Sequence, residues 1–325
     1  MKKKTIAVLG SGTFGTAIAI HLSRNKHKVM LWSQNSDHIK SMCKKHCNIK
    51  YLPKIHLSNL IIPTNNFKKC LKKSDEIIIA IPANGFINII NKFTKPPNKI
   101  SWVTKGIDPI SNKLFSEIIL SRWGKKFPIG IIAGPSFAKE FAHSLPTAMI
   151  IASNNIKYQK ILKQLLHHNN LYIYSSKDII GIQLCGAIKN ILAIMCGIID
   201  ELKYGKNARA ILITKGLSEM IKLGIKMGAK KETFIGLAGI GDLILTCTSN
   251  QSRNYKFGTY IGRNKNINKA KSLIPNVIEG INNTNQIHKI SKKYKVHLPI
   301  CEQINLLLNN KITIKKAIFN IFKYC

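Results

Sequence analysis

Arginine is scarce in this chain. Among 51 basic residues in 325 there are five, Arg24, Arg122, Arg209, Arg253 and Arg263. Acids are few as well, with 14 Asp and Glu against those 51, giving a formal net charge of +37. Such a charge suggests a polyanionic partner, but its form argues otherwise. Arginine is the residue favoured for phosphate and base recognition. The lysines are spread along the chain, with no block longer than Lys2–Lys4. Basic runs interleaved with aromatics, the mark of single-strand binders, are missing. The charge is read as a solvated surface, and no specific nucleic acid is expected.

Metal and disulfide frameworks are lacking too. The eight cysteines are scattered, several in apolar surroundings, in a reducing, cytoplasmic pattern. Cys43, His46 and Cys47 lie close together, but no second pair completes a four-ligand zinc set, so no metal is expected. There is no internal repeat and no low-complexity linker. The apolar stretch Thr5–Gly10 is too short for a secretory h-region. Residues 179–199 are apolar and long enough to span a bilayer, yet Gln183, Lys189 and Asn190 lie inside that run. A central lysine costs about 3 kcal/mol on insertion. A buried helix is therefore expected, and no membrane span.

What is present is an alternation. Short apolar runs at 5–9, 29–32, 76–81, 100–103, 129–133 and 147–152 are separated by helix-like segments. Continuous apolar runs of this length read as strands buried on both faces. Their alternation with helices predicts a doubly wound, Rossmann-like parallel sheet, with residues 171–174 as an added edge strand. After about residue 176 strand-like runs nearly stop. Helical patterns follow at 179–199, 208–223, 252–261, 277–293, 300–309 and 313–322, with a glycine-rich turn at 236–241. The expectation is an α/β domain over 1–176 and an all-α domain over 177–325.

Gly10-Ser11-Gly12-Thr13-Phe14-Gly15 fits G-x-G-x-x-G. The motif is weak alone, but here it follows a strand and opens a helix. Gly10 permits the turn, Gly12 lets backbone approach a pyrophosphate, and Gly15 lets helix and strand pack closely. The helix N-terminus then offers free N–H groups to phosphate. An NAD-specific site carries an acid at the end of the second strand. Here that strand runs into Ser33-Gln34-Asn35, and the next acid is Asp37, which can instead start or cap the following helix with Ser36. The missing acid permits a 2′-phosphate, so NADP is favoured and NAD tolerated. No arginine stands there as a clamp, though His38 or Lys40 can help.

Hydride transfer to a ketone needs a proton donor. Lys189 is the one formal charge in the apolar run 179–199, and burial should lower its pKa. Asn190 beside it can orient a ligand. The alternative is a lysine that snorkels to the surface. Lys105 ends another strand, where open α/β sheets bind substrate, though chance placement is a fair alternative among so many lysines. Gly134-Pro135-Ser136 reads as a turn with Ser136 as a helix cap, and Asp242 either caps a helix or pairs with a lysine across a site. Ser252, Arg253 and Asn254 look like a helix start carrying an anion site.

Together these blocks closely resemble the NAD(P)-dependent glycerol-3-phosphate dehydrogenase family of bacteria, nearly from end to end. The resemblance rests on Val8–Ala17, Trp102–Gly106, Gly134–Glu140, Gly186–Asn190, Asn207–Arg209, Gly239–Leu243, Thr246–Thr248 and Ser252–Asn254. It implies reduction of dihydroxyacetone phosphate to sn-glycerol 3-phosphate for phospholipid synthesis, with Lys189 as proton acceptor in the oxidation direction. It implies substrate contacts at Lys105, Gly134, Ser136, Lys189, Asp242, Ser252, Arg253 and Asn254. Cofactor contacts are implied at Gly10, Ser11, Gly12, Thr13, Phe14, Gly15, Gln34, Lys105, Ala138 and Arg253, with Val277 and Glu279 closing over the dinucleotide. Relatives often carry His or Arg where this chain has Gln34. Glu201 and Lys206 stand where smaller residues are usual, near the expected cleft. Helical C-terminal domains of this sort often pair, which is compatible with a homodimer.

Overall fold

The structure is a computed structural model and describes residues 3–274 and 277–323. The chain divides into two compact units, one of residues 1–104 with 119–177, the other of residues 105–118 with 178–325.

Among the described residues the first unit has ten strands: β1 (Thr5–Leu9), β2 (Lys28–Trp32), β3 (Cys47–Asn48), β4 (Leu52–His56), β5 (Ile61–Thr64), β6 (Glu76–Ile79), β7 (Ile100–Trp102), β8 (Ile129–Ala133), β9 (Thr147–Ser153) and β10 (Leu171–Ser176). Eight of them form one sheet in the order β10-β9-β8-β7-β6-β1-β2-β5. Every neighbouring pair is parallel except β8 with β9. The chain starts in the middle of the sheet and winds outward in both directions, as the apolar runs predict. Residues of β1 and β6 are buried almost throughout, so both faces of the sheet centre are covered. The edge strand β10 alternates less regularly and exposes Tyr172 and Tyr174.

Two features of this unit are not visible in the apolar pattern. The strand β5 contains Pro63, which argues against a strand in sequence. It lies at the sheet edge, pairing only with β2, where a missing N–H is tolerated. The small antiparallel hairpin of β3 and β4 is too short and too polar to register.

The second unit is helical. Its centre is the helix Ile179–Glu201, buried without a break from Gly181 to Ile199. Among the described residues this is the one helix long and apolar enough to cross a membrane, and 89% of its most apolar window is enclosed by protein. Asp178 caps it by accepting from the Gly181 N–H at 2.8 Å. Helices Lys206–Lys226, Asp242–Cys247, Arg253–Asn264, Glu279–Tyr294 and Pro299–Leu308 pack around it. Ile107 and Leu114 belong to the same apolar core. For that reason residues 105–118 go with the helices, whereas the apolar pattern places them in the first domain. No composition change marks that segment, and two buried apolar side chains are enough to anchor it.

Helix starts depart from the sequence expectation in two places. Asn35, not Ser36 or Asp37, caps helix Ser36–Lys45, accepting from the His38 N–H at 2.8 Å. Ser136 does not cap helix Ala138–Ala142; its hydroxyl donates to the Gly134 carbonyl at 3.1 Å. The glycine-rich stretch before Asp242 is a π-helical turn, Leu237–Gly241. Ser252 does cap helix Arg253–Asn264, accepting from the Tyr255 N–H at 3.3 Å.

Candidate active site

In the first unit the glycine loop has the form its sequence predicts. Gly10 has φ +124°, and a Cβ there would lie 2.4 Å from the Ala80 carbonyl oxygen. At Gly15 a Cβ would lie 1.9 Å from the Gly10 oxygen, so loop and helix touch backbone to backbone. Around Gly12 nothing lies within 4 Å of where a Cβ would be. The loop is therefore closed beneath and open above. Helix Thr13–Arg24 begins there with no side-chain cap and no acid in its first turn. An open loop followed by unsatisfied N–H groups suits a pyrophosphate, so the residues fit a dinucleotide.

Sequence reasoning missed the support below this loop. Asn48, fully buried, donates from Nδ2 to the Ser11 carbonyl at 2.8 Å and to Thr16 Oγ1 at 2.7 Å. It sits on β3, so the hairpin too short to read in sequence pins the loop. Phe14 stacks on Phe141 at 6.0 Å, and Ala138 packs against the same core. Gly134 has φ +128°, and a Cβ there would lie 2.8 Å from the Ala148 oxygen, so only glycine suits this turn. Gln34 is exposed.

In the second unit the structure gathers the charged candidates. Asp242 accepts from two lysines: its Oδ1 lies 2.5 Å from Lys189 Nζ and its Oδ2 lies 2.8 Å from Lys105 Nζ. The side chains of Lys189 and Asp242 are 5% and 4% exposed, and Lys105 is 23% exposed. Lys189 does not snorkel. Its second bond is to Thr246 Oγ1 at 2.9 Å. Thr246 in turn donates to the Asp242 carbonyl at 2.6 Å, so its lone pairs are left to face the lysine. Thr246 carries part of the sequence resemblance but was given no role there; its place four residues after Asp242, one helical turn on, is the signal that could have found it.

This arrangement separates the two lysines. Burial pulls both ammonium groups down. For Lys105 the Asp242 charge and hydrogen bond outweigh burial, and its pKa lies above the ordinary value. For Lys189, burial together with the neighbouring Lys105 charge wins over Asp242, and the pKa falls to about 8. Asp242 is pushed up by burial but held below the usual carboxylate range by both lysines. One lysine thus keeps its proton and the other can exchange it near neutrality.

Asn190 donates to the Gly186 carbonyl at 3.1 Å and to Glu279 Oε2 at 3.3 Å. Burial raises the Glu279 carboxyl, opposed by Arg253, Lys105 and Lys189. Asn254 accepts the Gly280 N–H at 2.9 Å, while Arg253 beside it is exposed. Val277 is also exposed. Glu201 is not near this cluster. It lies twelve positions beyond Lys189 on one helix, about 18 Å at the α-helical rise, and pairs with Arg263 at 2.9 Å. Lys206 is exposed at the start of the next helix. Among the described residues no group of three or more His, Cys, Asp and Glu is placed to hold a metal.

The chain matches the family models for the N-terminus of NAD-dependent glycerol-3-phosphate dehydrogenase over residues 5–159 and for its C-terminus over residues 178–319. It is 53% identical over 321 residues to a glycerol-3-phosphate dehydrogenase [NAD(P)+] of Legionella pneumophila, covering 99% of this chain and 98% of that one. The crystal structure of a glycerol-3-phosphate dehydrogenase from Coxiella burnetii superposes with a TM-score of 0.95 at 40% identity, covering 99% of both chains. A yeast glycerol-3-phosphate dehydrogenase, 23% identical, shares the fold with a TM-score of 0.84 over 98% of this chain and 99% of that one. Residue pattern, site geometry and these likenesses agree: the chain belongs to the NAD-dependent glycerol-3-phosphate dehydrogenase family.

Proposed function

We propose that this chain interconverts dihydroxyacetone phosphate and sn-glycerol 3-phosphate with a nicotinamide dinucleotide, as an sn-glycerol-3-phosphate:NAD(P)+ 2-oxidoreductase of the cytoplasm that supplies glycerophospholipid synthesis. The observation that carries the reading is the buried Asp242 carboxylate bridging Lys105 and Lys189, with Lys189 tuned to about 8. When bound, the nicotinamide supplies or accepts the hydride. Gly10, Ser11, Gly12, Thr13, Phe14 and Gly15 would hold its pyrophosphate.

The chain's own part is the proton and the charge. The Lys189 ammonium spends two N–H bonds on Asp242 and Thr246. The third is left for the substrate oxygen. In reduction it donates to the developing alkoxide; in oxidation the neutral amine takes the hydroxyl proton. Lys105 stays charged and polarises the same oxygen. Arg253, with Ser252 and Asn254 at the start of a twelve-residue helix, would receive the phosphate. Gly134 and Ser136 complete the substrate set. The seven described cysteines are all free thiols, which supports a reducing compartment.

Arg253→Ala is expected to raise KM for dihydroxyacetone phosphate by the equivalent of about 1.5–3 kcal/mol, the worth of a charged hydrogen bond. Steady-state kinetics with dihydroxyacetone phosphate and its unphosphorylated analogue check this. Equal rates on the two ketones in the wild type would remove the phosphate role altogether.

For the cofactor, NADPH is the preferred partner. With Gln34 neutral, the cations of the cleft beside the second strand are Lys45 and Lys50, and Asn35, Asp37, His38 and Ser41 line it with them. The Nε2 atom of His38 is buried without a hydrogen-bond partner. Burial lowers its imidazole pKa, the Ser11 backbone works against this, and the Lys50 charge adds to it. A 2′-phosphate would pair with the two lysines and can accept a hydrogen bond from the neutral His38 ring. Initial rates and fluorescence titrations with NADPH and NADH side by side should show a lower KM and Kd for NADPH. Equal values would assign the cleft no such role.

A further inference from the structure

One polar cluster in the helical unit takes no part in this chemistry. Asp200 is the penultimate residue of helix Ile179–Glu201, the helix that carries Lys189. Its Oδ2 accepts from Arg209 Nη1 and from the Tyr255 hydroxyl, the latter at 2.6 Å. Tyr255 stands two residues after Arg253, in the first turn of helix Arg253–Asn264. Burial, reinforced by Asp200, pushes the phenol up to about 12, so it remains a donor throughout the working pH range.

The two helices joined by this bond meet through glycines. A Cβ at Gly197 would lie 2.0 Å from the Tyr255 carbonyl oxygen, and one at Gly258 would lie 1.9 Å from the Ile194 oxygen. Their backbones therefore touch. At these two points no side chain stands between the helices, so their axial register rests on the packed side chains around them, such as buried Phe257 and Ile261 against Ile194 and Ile198, and on polar bonds. Polar bonds on either side of the crossing can add to that hold. Two polar pins are placed to do so. Asn254 accepts the Gly280 N–H at 2.9 Å, next to where Gly280 abuts the Asn190 backbone. Tyr255 reaches Asp200 farther along the central helix.

We infer that Tyr255 and Asp200 are positioning residues that fix helix Arg253–Asn264 in register against the Lys189 helix, and so hold Arg253 at the right height for the anionic end of the substrate. This rests on the role proposed for Arg253. Arg209 makes the test clean. When the tyrosine hydroxyl is removed, Asp200 keeps its guanidinium partner, so no buried carboxylate is left unpaired. The exposed pair Glu201–Arg263 joins the same two helices and serves as the control, since surface ion pairs contribute little.

The experiment compares Tyr255→Phe, Arg253→Ala and Arg263→Ala in the full-length enzyme. Tyr255→Phe should raise KM for dihydroxyacetone phosphate about tenfold, a sub-ångström misplacement being costly at this level. The inhibition constant of inorganic phosphate should rise in parallel, while kcat stays close to wild type. Arg263→Ala should change none of these. A lowered melting temperature with both phosphate-dependent constants unchanged would overturn the positioning role, as would a fall in kcat alone. If Arg253→Ala raises KM and Tyr255→Phe is silent, only the positioning inference fails. If Arg253→Ala is itself silent, the anion-site reading falls and takes this inference with it.

Discussion

Replacing Lys189 by alanine is expected to lower kcat by about 10²–10⁴, the usual worth of a positioned general acid or base, while dinucleotide binding persists. The glycine loop and its Asn48 support involve none of the Lys189 contacts. Fluorescence titration should therefore show retained dinucleotide affinity alongside lost turnover. Turnover within a few-fold of wild type would remove Lys189 as the proton carrier. The wild-type pH profile tests the same point with a definite sign. Lys189 sits at about 8. With Lys189 in the proposed role, oxidation of glycerol 3-phosphate would need the neutral amine, so its kcat/KM should rise with pH through about 8. Reduction needs the ammonium, so its rate should fall above that value. In the alanine variant both inflections should disappear, because Lys105 is shifted upward and keeps its charge there.

Asp242→Ala should be both inactive and unstable. The wild-type cluster holds two lysines against one carboxylate in a largely water-free setting. Without that carboxylate, the charge on Lys189 and Lys105 is uncompensated. Breaking a buried pair in this way costs about 3–5 kcal/mol. The lysines would respond by releasing protons, so Lys189 should fall further below its value of about 8. The sign of the stability change follows. Lysines depressed in the folded state bind fewer protons than in the unfolded chain, so stability rises with pH. Denaturant unfolding should show the variant recovering part of its loss between neutral and mildly alkaline pH. A variant as stable as wild type at neutral pH would mean that Asp242 does not carry the balancing charge. Thr246 gives an internal control, since its bond to the Asp242 main-chain carbonyl does not need the side chain.

Legibility in the sequence follows the range of the interaction concerned. The strands β1, β6 and β8 were legible because burial on both faces leaves a continuous apolar run. The strand β5 was not, because Pro63 is tolerated only by virtue of an edge position that no local pattern displays. Helix Ile179–Glu201 was legible as buried, and Lys189 as its one interior charge. Asp242 was legible as a helix cap or a partner for that lysine, and the structure shows the pair; that the same carboxylate also holds Lys105 was not, since Lys105 lies on a segment whose pattern reads as part of the other domain. Glu201 shows the opposite error. It is close to the site in sequence motif, yet the helical rise carries it about 18 Å from Lys189 and onto Arg263.

The chain's sequence by itself determined the sheet-then-helix order, the glycine loop and the presence of a lysine inside an apolar helix. Each is set by neighbours a few residues apart, through turn stereochemistry, strand burial and helical periodicity. The tertiary structure alone decided that Lys105 keeps its proton beside a lysine that can lose one. That depends on a carboxylate 137 residues from Lys105 closing on both lysines at once, and on Thr246 fixing the geometry. It also decided that Asn48 holds the loop and that Tyr255 meets Asp200. The reason is physical: pKa values and helix register are set by charges and contacts in space, and those are brought together by the packing of the core.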